Sequence, residues 1–210
     1  MAKAPAKDPF RCVECGWSAT KWVGRCGECQ AWGSVEEIAA PKKLSLVAGS
    51  FTTPAKPIGD VDLASAKARS SGVGELDRVL GGGLVPGAAI LLAGEPGVGK
   101  STLLLQLLAS WPTRSLYVTA EESAQQVRLR AERLHAVRDN LWLVSEPSLT
   151  NIVAALDKVK PELLVIDSIQ AVADPALGSA PGSVVQVRGC AHRLVQEAKR
   201  RNIPTILVGH

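Results

Sequence analysis

The stretch AAILLAGEPGVGKSTLLLQ, residues 88–106, decides the fold, because a glycine-rich loop in it separates two apolar runs. The first run has the length of a buried strand, and the second has the length of a helix. The loop, GEPGVGKS at 94–101, fits the pattern G-x-x-x-x-G-K-[ST]. A strand before this pattern and a helix after it predict a loop that holds phosphate groups, and they disfavour a glycine-rich turn without a ligand.

Each part of the loop has a predicted role. The glycines let it curl so that its backbone N–H groups converge on an anion, and the helix N-terminus adds its positive end. Lys100 is predicted to reach the β- and γ-phosphates of ATP, and Ser101 to bind Mg²⁺. The predicted nucleotide-binding residues are Gly94, Glu95, Pro96, Gly97, Val98, Gly99, Lys100, Ser101 and Thr102.

Further short aliphatic runs alternate with helix-like stretches along the rest of the chain. The candidate strands are residues 88–93, 115–120, 141–145, 162–167 and 205–210, and the candidate helices lie near 100–110, 123–137, 148–159 and 184–201. This alternation predicts an α/β fold in which helices cover both faces of a mostly parallel sheet. Ligands of such sheets bind at the edge where the strands have their carboxyl ends.

Carboxylates follow two of these strands. Asp167 ends the run ELLVID and is predicted to be the second Mg²⁺ handle, the Walker B position, although an aspartate after a strand also serves as a helix N-cap. Glu121 and Glu122 follow the strand at 115–120. We expect Glu121 to hold the attacking water and Glu122 to act as cap or support, while helix capping stays the alternative for at least one of them. Glu121, Lys100 and Asp167 are the predicted catalytic residues.

Four of the five cysteines form a pattern near the start of the chain. Cys12, Cys15, Cys26 and Cys29 make two C-x-x-C pairs with a ten-residue spacer. In a reducing compartment this spacing indicates a closed tetrahedral zinc site with a structural role, in preference to four ordinary buried cysteines. The fifth, Cys190, is interpreted as a small apolar residue on a helix.

Three of the five tryptophans, Trp17, Trp22 and Trp32, lie in the same segment. Exposed indoles stack on bases of single-stranded nucleic acid. Tryptophans packed beside a metal are the favoured alternative, because about 30 residues bury little apolar surface by themselves.

Length and composition predict two parts. The 210 residues are 46% hydrophobic and 21% charged, a globular balance, and the net charge of +4 permits contact with polyanions without demanding it. The predicted division is a flexible tail at 1–9, a ribbon at 10–38, a linker at 39–69 and a core at 70–210. No run approaches the roughly 20 apolar residues of a membrane span, and the first residues lack a signal-peptide centre, so we predict a cytoplasmic protein without membrane contact.

The segment SSGVGELDRVLGGGLVPGAAILLAGEPGVGKSTLLLQ, residues 70–106, resembles the entry to a RecA-type ATPase core. Together with the four-cysteine ribbon and YVTAEES at 117–123, it resembles the bacterial RadA (Sms) DNA-repair family over residues 10–210. The resemblance implies a RecA-like P-loop core and a ring-forming, DNA-stimulated ATPase that drives branch migration in homologous recombination and DNA repair. It also implies that Glu121 activates water, that Asp167 is the Walker B residue and that His210 is a possible sensor.

The partners implied by this resemblance are single-stranded and branched DNA, a RecA-type recombinase and, for the full-length family, further copies of the chain. The family continues with DNA-contacting loops, a Lys-Asn-Arg-Phe-Gly motif and a Lon-like domain, none of which occurs in these 210 residues. We therefore expect an N-terminal fragment with an incomplete core, which binds Mg-nucleotide and zinc, hydrolyses ATP slowly and does not translocate.

Two other functions stay open. KaiC-like proteins share the GGGL segment and the paired glutamates and use nucleotide turnover for timing, but they do not need the ribbon. A zinc-ribbon adaptor with a nucleotide-gated scaffold is the other.

Two predicted helices carry clusters of basic residues. These residues would either contact phosphate or form a solvated face, and the solvated face is the favoured interpretation. The residues are Arg128, Arg130, Arg133, Arg138, Lys199, Arg200 and Arg201.

Overall fold

A computed structural model of the chain describes residues 10–37 and 55–209. The chain divides into two compact units, Met1–Lys56 and Pro57–His210. The predicted tail at 1–9, most of the predicted linker and the possible sensor His210 lie outside the described residues. Among the residues that are described, no helix combines the length and the apolar character needed to cross a membrane.

The first unit contains a small antiparallel sheet. Its strands are β1 Phe10–Cys12, β2 Ser18–Ala19 and β3 Val35–Glu37, in the order β2-β1-β3. Its interior is correspondingly small, with Cys12, Cys26 and Val35 buried and Phe10, Trp17 and Val23 packed around them. So few apolar side chains cannot hold an independent unit together, and a bound metal is the usual remedy.

The second unit contains a five-stranded parallel sheet. Its strands are β4 Ala89–Ala93, β5 Ser115–Thr119, β6 Leu141–Ser145, β7 Leu163–Asp167 and β8 Thr205–Gly209. They are ordered β4-β8-β7-β5-β6, and each neighbouring pair is parallel. The predicted α/β fold class is confirmed, and each predicted strand agrees with an observed one to within a residue at either end.

Five α-helices accompany this sheet in the described part of the chain. They are α1 Gly74–Val79, α2 Lys100–Ser110, α3 Ala124–Arg133, α4 Leu149–Val159 and α5 Val184–Arg201. Helix α3 ends four residues before the predicted boundary, because His135 has a φ of 52°, in the left-handed region that a right-handed helix cannot contain. Helix α1 was not among the predicted helices, since its single turn and a half carries too few apolar residues to show a period.

Apolar side chains cover both faces of the sheet. On β5, Tyr117 belongs to one buried cluster, together with Leu104 and Leu108 of α2. Its neighbours Leu116 and Val118 belong to a second cluster, together with residues of α4 and α5. Because successive strand residues point to opposite faces, this division follows directly from the unbroken apolar runs in the sequence. Cys190 is buried in the second cluster, on α5.

The glycines in GELDRVLGGGL bring the chain back against itself before β4. The backbone N–H of Leu84 donates to the carbonyl of Arg69, and the N–H of Arg69 donates to the carbonyl of Leu84. Gly83 has a φ of 130°, and a Cβ there would collide with the Arg69 carbonyl. Glycine is therefore required at this position, which precedes the turn at residues 85–88 that leads into β4.

We expect Leu156→Ala to lower the free energy of unfolding of the core by about 3 kcal/mol, because it leaves a cavity where a side chain with 1% exposure packed. Urea denaturation measures this change. Leu129→Ala is the matched control, since Leu129 is 61% exposed and its truncation leaves no cavity. Equal losses in the two variants would contradict the placement of α4 against the sheet.

Candidate nucleotide and metal sites

The phosphate loop connects β4 to α2 at the carboxyl edge of the sheet. Gly97 and Gly99 have φ values of 83° and 93°, in the left-handed region, and Gly99 occupies the N-cap position of α2 without a side-chain cap. Residues 95–99 are exposed. The loop thus presents backbone N–H groups and a helix N-terminus to solvent at one place, which is the arrangement that binds phosphate.

Lys100 is the first residue of α2, and its side chain returns over the loop. The ammonium Nζ donates to the carbonyls of Gly94 at 2.6 Å and Glu95 at 2.8 Å. An ammonium group has three donors, so one remains for an anion. The positive charge therefore lies beside the same loop that offers the backbone N–H groups.

Ser101 and Asp167 meet at this edge although 66 residues separate them. The Ser101 hydroxyl donates to Asp167 Oδ2 over 2.7 Å, and the Tyr117 hydroxyl donates to the same oxygen over 2.6 Å. A hydroxyl and a carboxylate are hard oxygen ligands of the kind that Mg²⁺ takes. Burial, together with the Asp167 charge, raises the pKa of the Tyr117 phenol, which therefore stays a hydrogen-bond donor.

The two glutamates after β5 have different surroundings. Glu121 is exposed, and its Oε1 accepts a hydrogen bond from the hydroxyl of Ser168, the residue after Asp167. The Glu122 carboxylate instead forms an ion pair with Arg130 at 2.8 Å. Only Glu121 is thus tied to the segment that carries Asp167.

The turn at Glu122 is fastened through its backbone as well. The Glu122 N–H donates to Thr119 Oγ1, and its carbonyl accepts from the hydroxyls of Thr119 and Ser145. Neither glutamate caps α3. That role belongs to Ser123, whose Oγ accepts from the Gln126 N–H in a reciprocal capping box.

Sequence reasoning missed two residues of this edge, Tyr117 and Ser168. Each carries a hydroxyl that donates to a predicted site carboxylate. A tyrosine inside an apolar strand looks like core, so only its position two residues before the strand end hinted at a polar role. Ser168 directly follows Asp167, and that adjacency was the available signal.

The four cysteines of the first unit lie together. Their sulfur atoms are all within 4.8 Å of one another, with 3.7 Å between Cys12 and Cys29 and 3.5 Å between Cys15 and Cys26. Metal–sulfur bonds of about 2.3 Å in a tetrahedron correspond to sulfur separations of roughly 3.8 Å. Hydrogen bonds, first of all the one with Ser34, lower the pKa of the Cys12 thiol to about 6, which favours a thiolate there, whereas burial and the neighbouring thiols raise the pKa of Cys29. The donor set therefore fits a four-sulfur metal site.

The three ribbon tryptophans divide into two groups. Trp17 packs against the small interior, and a Cβ on Gly27 would lie only 2.8 Å from its ring. Trp22 and Trp32 are 65% and 77% exposed, and the Arg25 guanidinium lies 5.7 Å from the centre of the Trp32 ring. The packing interpretation thus describes Trp17 alone.

Most of the basic residues singled out on the core helices are matched by acidic ones. Arg128 pairs with Glu132, and Arg130 pairs with Glu122. Near the end of α5, the carboxylate of Glu197 receives Arg193, Arg200 and Arg201, and Arg201 also reaches Asp157. These pairs favour a solvated, internally balanced surface over a phosphate-binding one.

The chain belongs to the AAA domain family, whose description matches residues 64–210. A second family, described as Rubredoxin metal binding domain, matches residues 10–37. The AAA domain thus lies in the second unit, and the four-cysteine ribbon of the first unit is similar to a metal-binding domain.

The curated relatives are more specific. The chain is similar to "DNA repair protein RadA" of Escherichia coli K12, with 45% identity over 221 residues, and to the proteins so named from Haemophilus influenzae and Mycolicibacterium smegmatis, each with 43% identity. Each match covers 100% of this chain and 48% of the relative. The resemblance to the bacterial RadA family is therefore confirmed, and the chain spans about half the length of the relatives it matches.

Replacing one cysteine of the cluster tests the metal site. We expect Cys26→Ser to lose the bound metal and to unfold the ribbon, because a structural metal supplies about 10–16 kcal/mol to a module of this kind. Elemental analysis of the purified protein measures the metal, and tryptophan fluorescence reports the ribbon.

Cys190→Ala is the matched control, because Cys190 is buried on α5, outside the cluster. It should keep the full metal content. One metal ion per chain in the Cys26→Ser protein would rule out ligation by four sulfurs.

Proposed function

We propose that this chain is the ribbon and nucleotide-binding part of a DNA-dependent ATPase that drives branch migration in homologous recombination and DNA repair. One observation carries the ATPase proposal: Ser101, at the start of the helix after the phosphate loop, and Asp167, at the end of a distant strand, lie 2.7 Å apart. The name shared by the relatives supports the DNA-repair part of the proposal.

In this proposal, residues 94–102 hold the triphosphate through their backbone N–H groups, which Pro96 alone among them lacks, and Lys100 adds its charge beside them. Ser101 and Asp167 hold Mg²⁺, which when bound neutralises charge on the phosphates. These residues surround one edge of the sheet, so ATP would bind with its phosphates above the carboxyl ends of β4 and β7.

Glu121 is the proposed base. Its carboxylate is exposed and accepts a hydrogen bond from Ser168, the residue after Asp167. In this position it can accept a proton from a water that attacks the terminal phosphate. Glu122 supports the turn through its ion pair with Arg130. The proposed sensor is His210, which directly follows β8 in the sequence.

Zinc is the proposed metal of the ribbon, because four thiolates with no open position form its usual structural site. The proposed domain limits are 10–38 for the ribbon, 39–69 for the linker and 70–210 for the core. We place the protein in the cytoplasm. Single-stranded and branched DNA, a RecA-type recombinase and further copies of the longer chain are the proposed partners.

Removing the ammonium group tests the phosphate loop. We expect Lys100→Ala to lose at least half of the thermal stabilisation that Mg-ATP gives, because a ligand stabilises the folded state in proportion to its affinity. At 100 times the dissociation constant, the wild-type gain is about 2.7 kcal/mol. Differential scanning fluorimetry at matched ATP concentrations measures the shift.

Lys158→Ala is the control, because Lys158 is an exposed lysine on α4. It should keep the wild-type shift. An unchanged shift in Lys100→Ala would refute the phosphate-loop assignment.

The proposed reaction is tested by the ATPase rate, with and without single-stranded DNA, of this chain and of a protein extended past residue 210. We expect the DNA to raise the rate of the extended protein, while this chain hydrolyses ATP slowly. Glu121→Gln should lower both rates by about 100-fold or more while keeping the Mg-ATP thermal shift, because it removes a base and leaves the phosphate contacts intact. Phosphate release in single-turnover and steady-state assays measures both effects.

Glu132→Gln is the matched control, since Glu132 lies on α3 and pairs only with Arg128 among the described residues. A rate of the extended protein that does not respond to DNA would remove DNA dependence from the proposal. Full activity of Glu121→Gln would assign the base elsewhere.

A further inference from the structure

We infer that Tyr117 is a positioning residue for Asp167: its hydroxyl fixes the carboxylate in the orientation that binds Mg²⁺. The inference rests on the proposed function, in which Asp167 is a Mg²⁺ ligand. It adds a residue that neither the phosphate-loop motif nor the carboxylate pattern contains.

The sheet register brings the two side chains together. Thr119 of β5 lies opposite Asp167 of β7, and Tyr117 lies opposite Val165. Residues two apart on a strand share a face, so Tyr117 and Asp167 are diagonal neighbours on the same side of the sheet. A short side chain at 117 would not span this diagonal, whereas a phenol does, and its oxygen lies 2.6 Å from Asp167 Oδ2.

The two donors to Asp167 act on one oxygen. Tyr117 and Ser101 both donate to Oδ2, while no described residue donates to Oδ1. Two hydrogen bonds at fixed positions restrict rotation of the carboxylate, and Oδ1 stays available to a cation or its water. Hydrogen-bond partners of metal-binding carboxylates act in this way and commonly change metal affinity by about 10- to 100-fold.

The ring of Tyr117 gives this contact a rigid base. The residue is 1% exposed and belongs to the cluster that contains Leu105 and Val127. The ring lies between α2 and α3 and also lines a cavity of about 130 Å³, so its packing and the hydrogen bond to Asp167 together set the position of the hydroxyl. Packing alone would be served equally well by phenylalanine, which makes the hydroxyl the informative group.

The test compares wild type with Tyr117→Phe and with Ser115→Ala. Ser115 is a buried hydroxyl residue on the same strand, and none of the described residues hydrogen-bonds to its Oγ. Binding of a fluorescent ADP analogue is measured first in EDTA and then across a Mg²⁺ titration. We expect equal binding by all three proteins in EDTA. The Mg²⁺ concentration for half-maximal effect should rise about tenfold in Tyr117→Phe alone.

A second readout needs no turnover. Tyr117 is the only tyrosine in the chain, so protein labelled with ¹³C at the tyrosine ring Cζ gives one resonance for this phenol. We expect the resonance to move in Asp167→Asn, because the charged acceptor becomes a neutral amide, and not to move in Ser115→Ala. In ATPase assays, saturating Mg²⁺ should return the kcat of Tyr117→Phe to within about threefold of wild type, since the base and phosphate loop are unchanged.

The outcomes separate this inference from the proposed function. Wild-type Mg²⁺ dependence in a folded Tyr117→Phe protein overturns the inference and leaves the proposed function standing. Absence of any Mg²⁺ effect in wild type overturns both. If the phenylalanine variant does not fold, the resonance decides, because an unchanged Cζ signal in Asp167→Asn overturns the contact.

Discussion

The parallel arrangement of the core sheet is the constraint on which the nucleotide site depends. Five strands that run the same way have their carboxyl ends at one edge, where the phosphate loop follows β4, Asp167 ends β7 and Glu121 lies two residues after β5. Strand β8 lies between β4 and β7, so the loop and Asp167 are one strand apart at that edge. Helix α2 then brings Ser101 across this interval to Asp167. Functional residues from distant parts of the chain thus meet because the strands run in the same direction, and no local sequence motif links them.

The ribbon depends on a different source of order. Its interior consists of a few side chains around Cys12 and Cys26, too little apolar surface to offset the loss of chain entropy. Four sulfurs lie within bonding range of a common centre, and metal–sulfur bonds there would fill that role. The core buries aliphatic side chains on two faces of a sheet, whereas the ribbon has a cluster of four sulfurs at its centre.

Much of this architecture was accessible from the sequence, and the exceptions have physical causes. Unbroken aliphatic runs predicted the strands, because a strand that is covered on both faces has apolar residues at every position and does not alternate between apolar and polar ones. The cysteine spacing predicted the sulfur cluster, since two turns of fixed size aim four thiols at one point. The contact of Tyr117 with Asp167 was not predictable, because it depends on the register between β5 and β7, which no local pattern encodes. The exposure of Trp22 and Trp32 was missed for another reason: a unit of this size has room for one indole inside, and the sequence does not say which.

The turn after β5 holds its two adjacent glutamates, Glu121 and Glu122, to different degrees. Glu122 is held by Thr119, Ser145 and Arg130, through both its backbone and its carboxylate. Among the described residues, the Glu121 side chain hydrogen-bonds only with the hydroxyl of Ser168, which follows β7. Among the described residues, a single hydrogen bond therefore opposes rotation of the Glu121 side chain, whereas several hold the backbone of the turn at Glu122. Exchanging the roles of the two glutamates would require new contacts for the backbone and carboxylate at position 122, so the order of the pair matters as much as its composition.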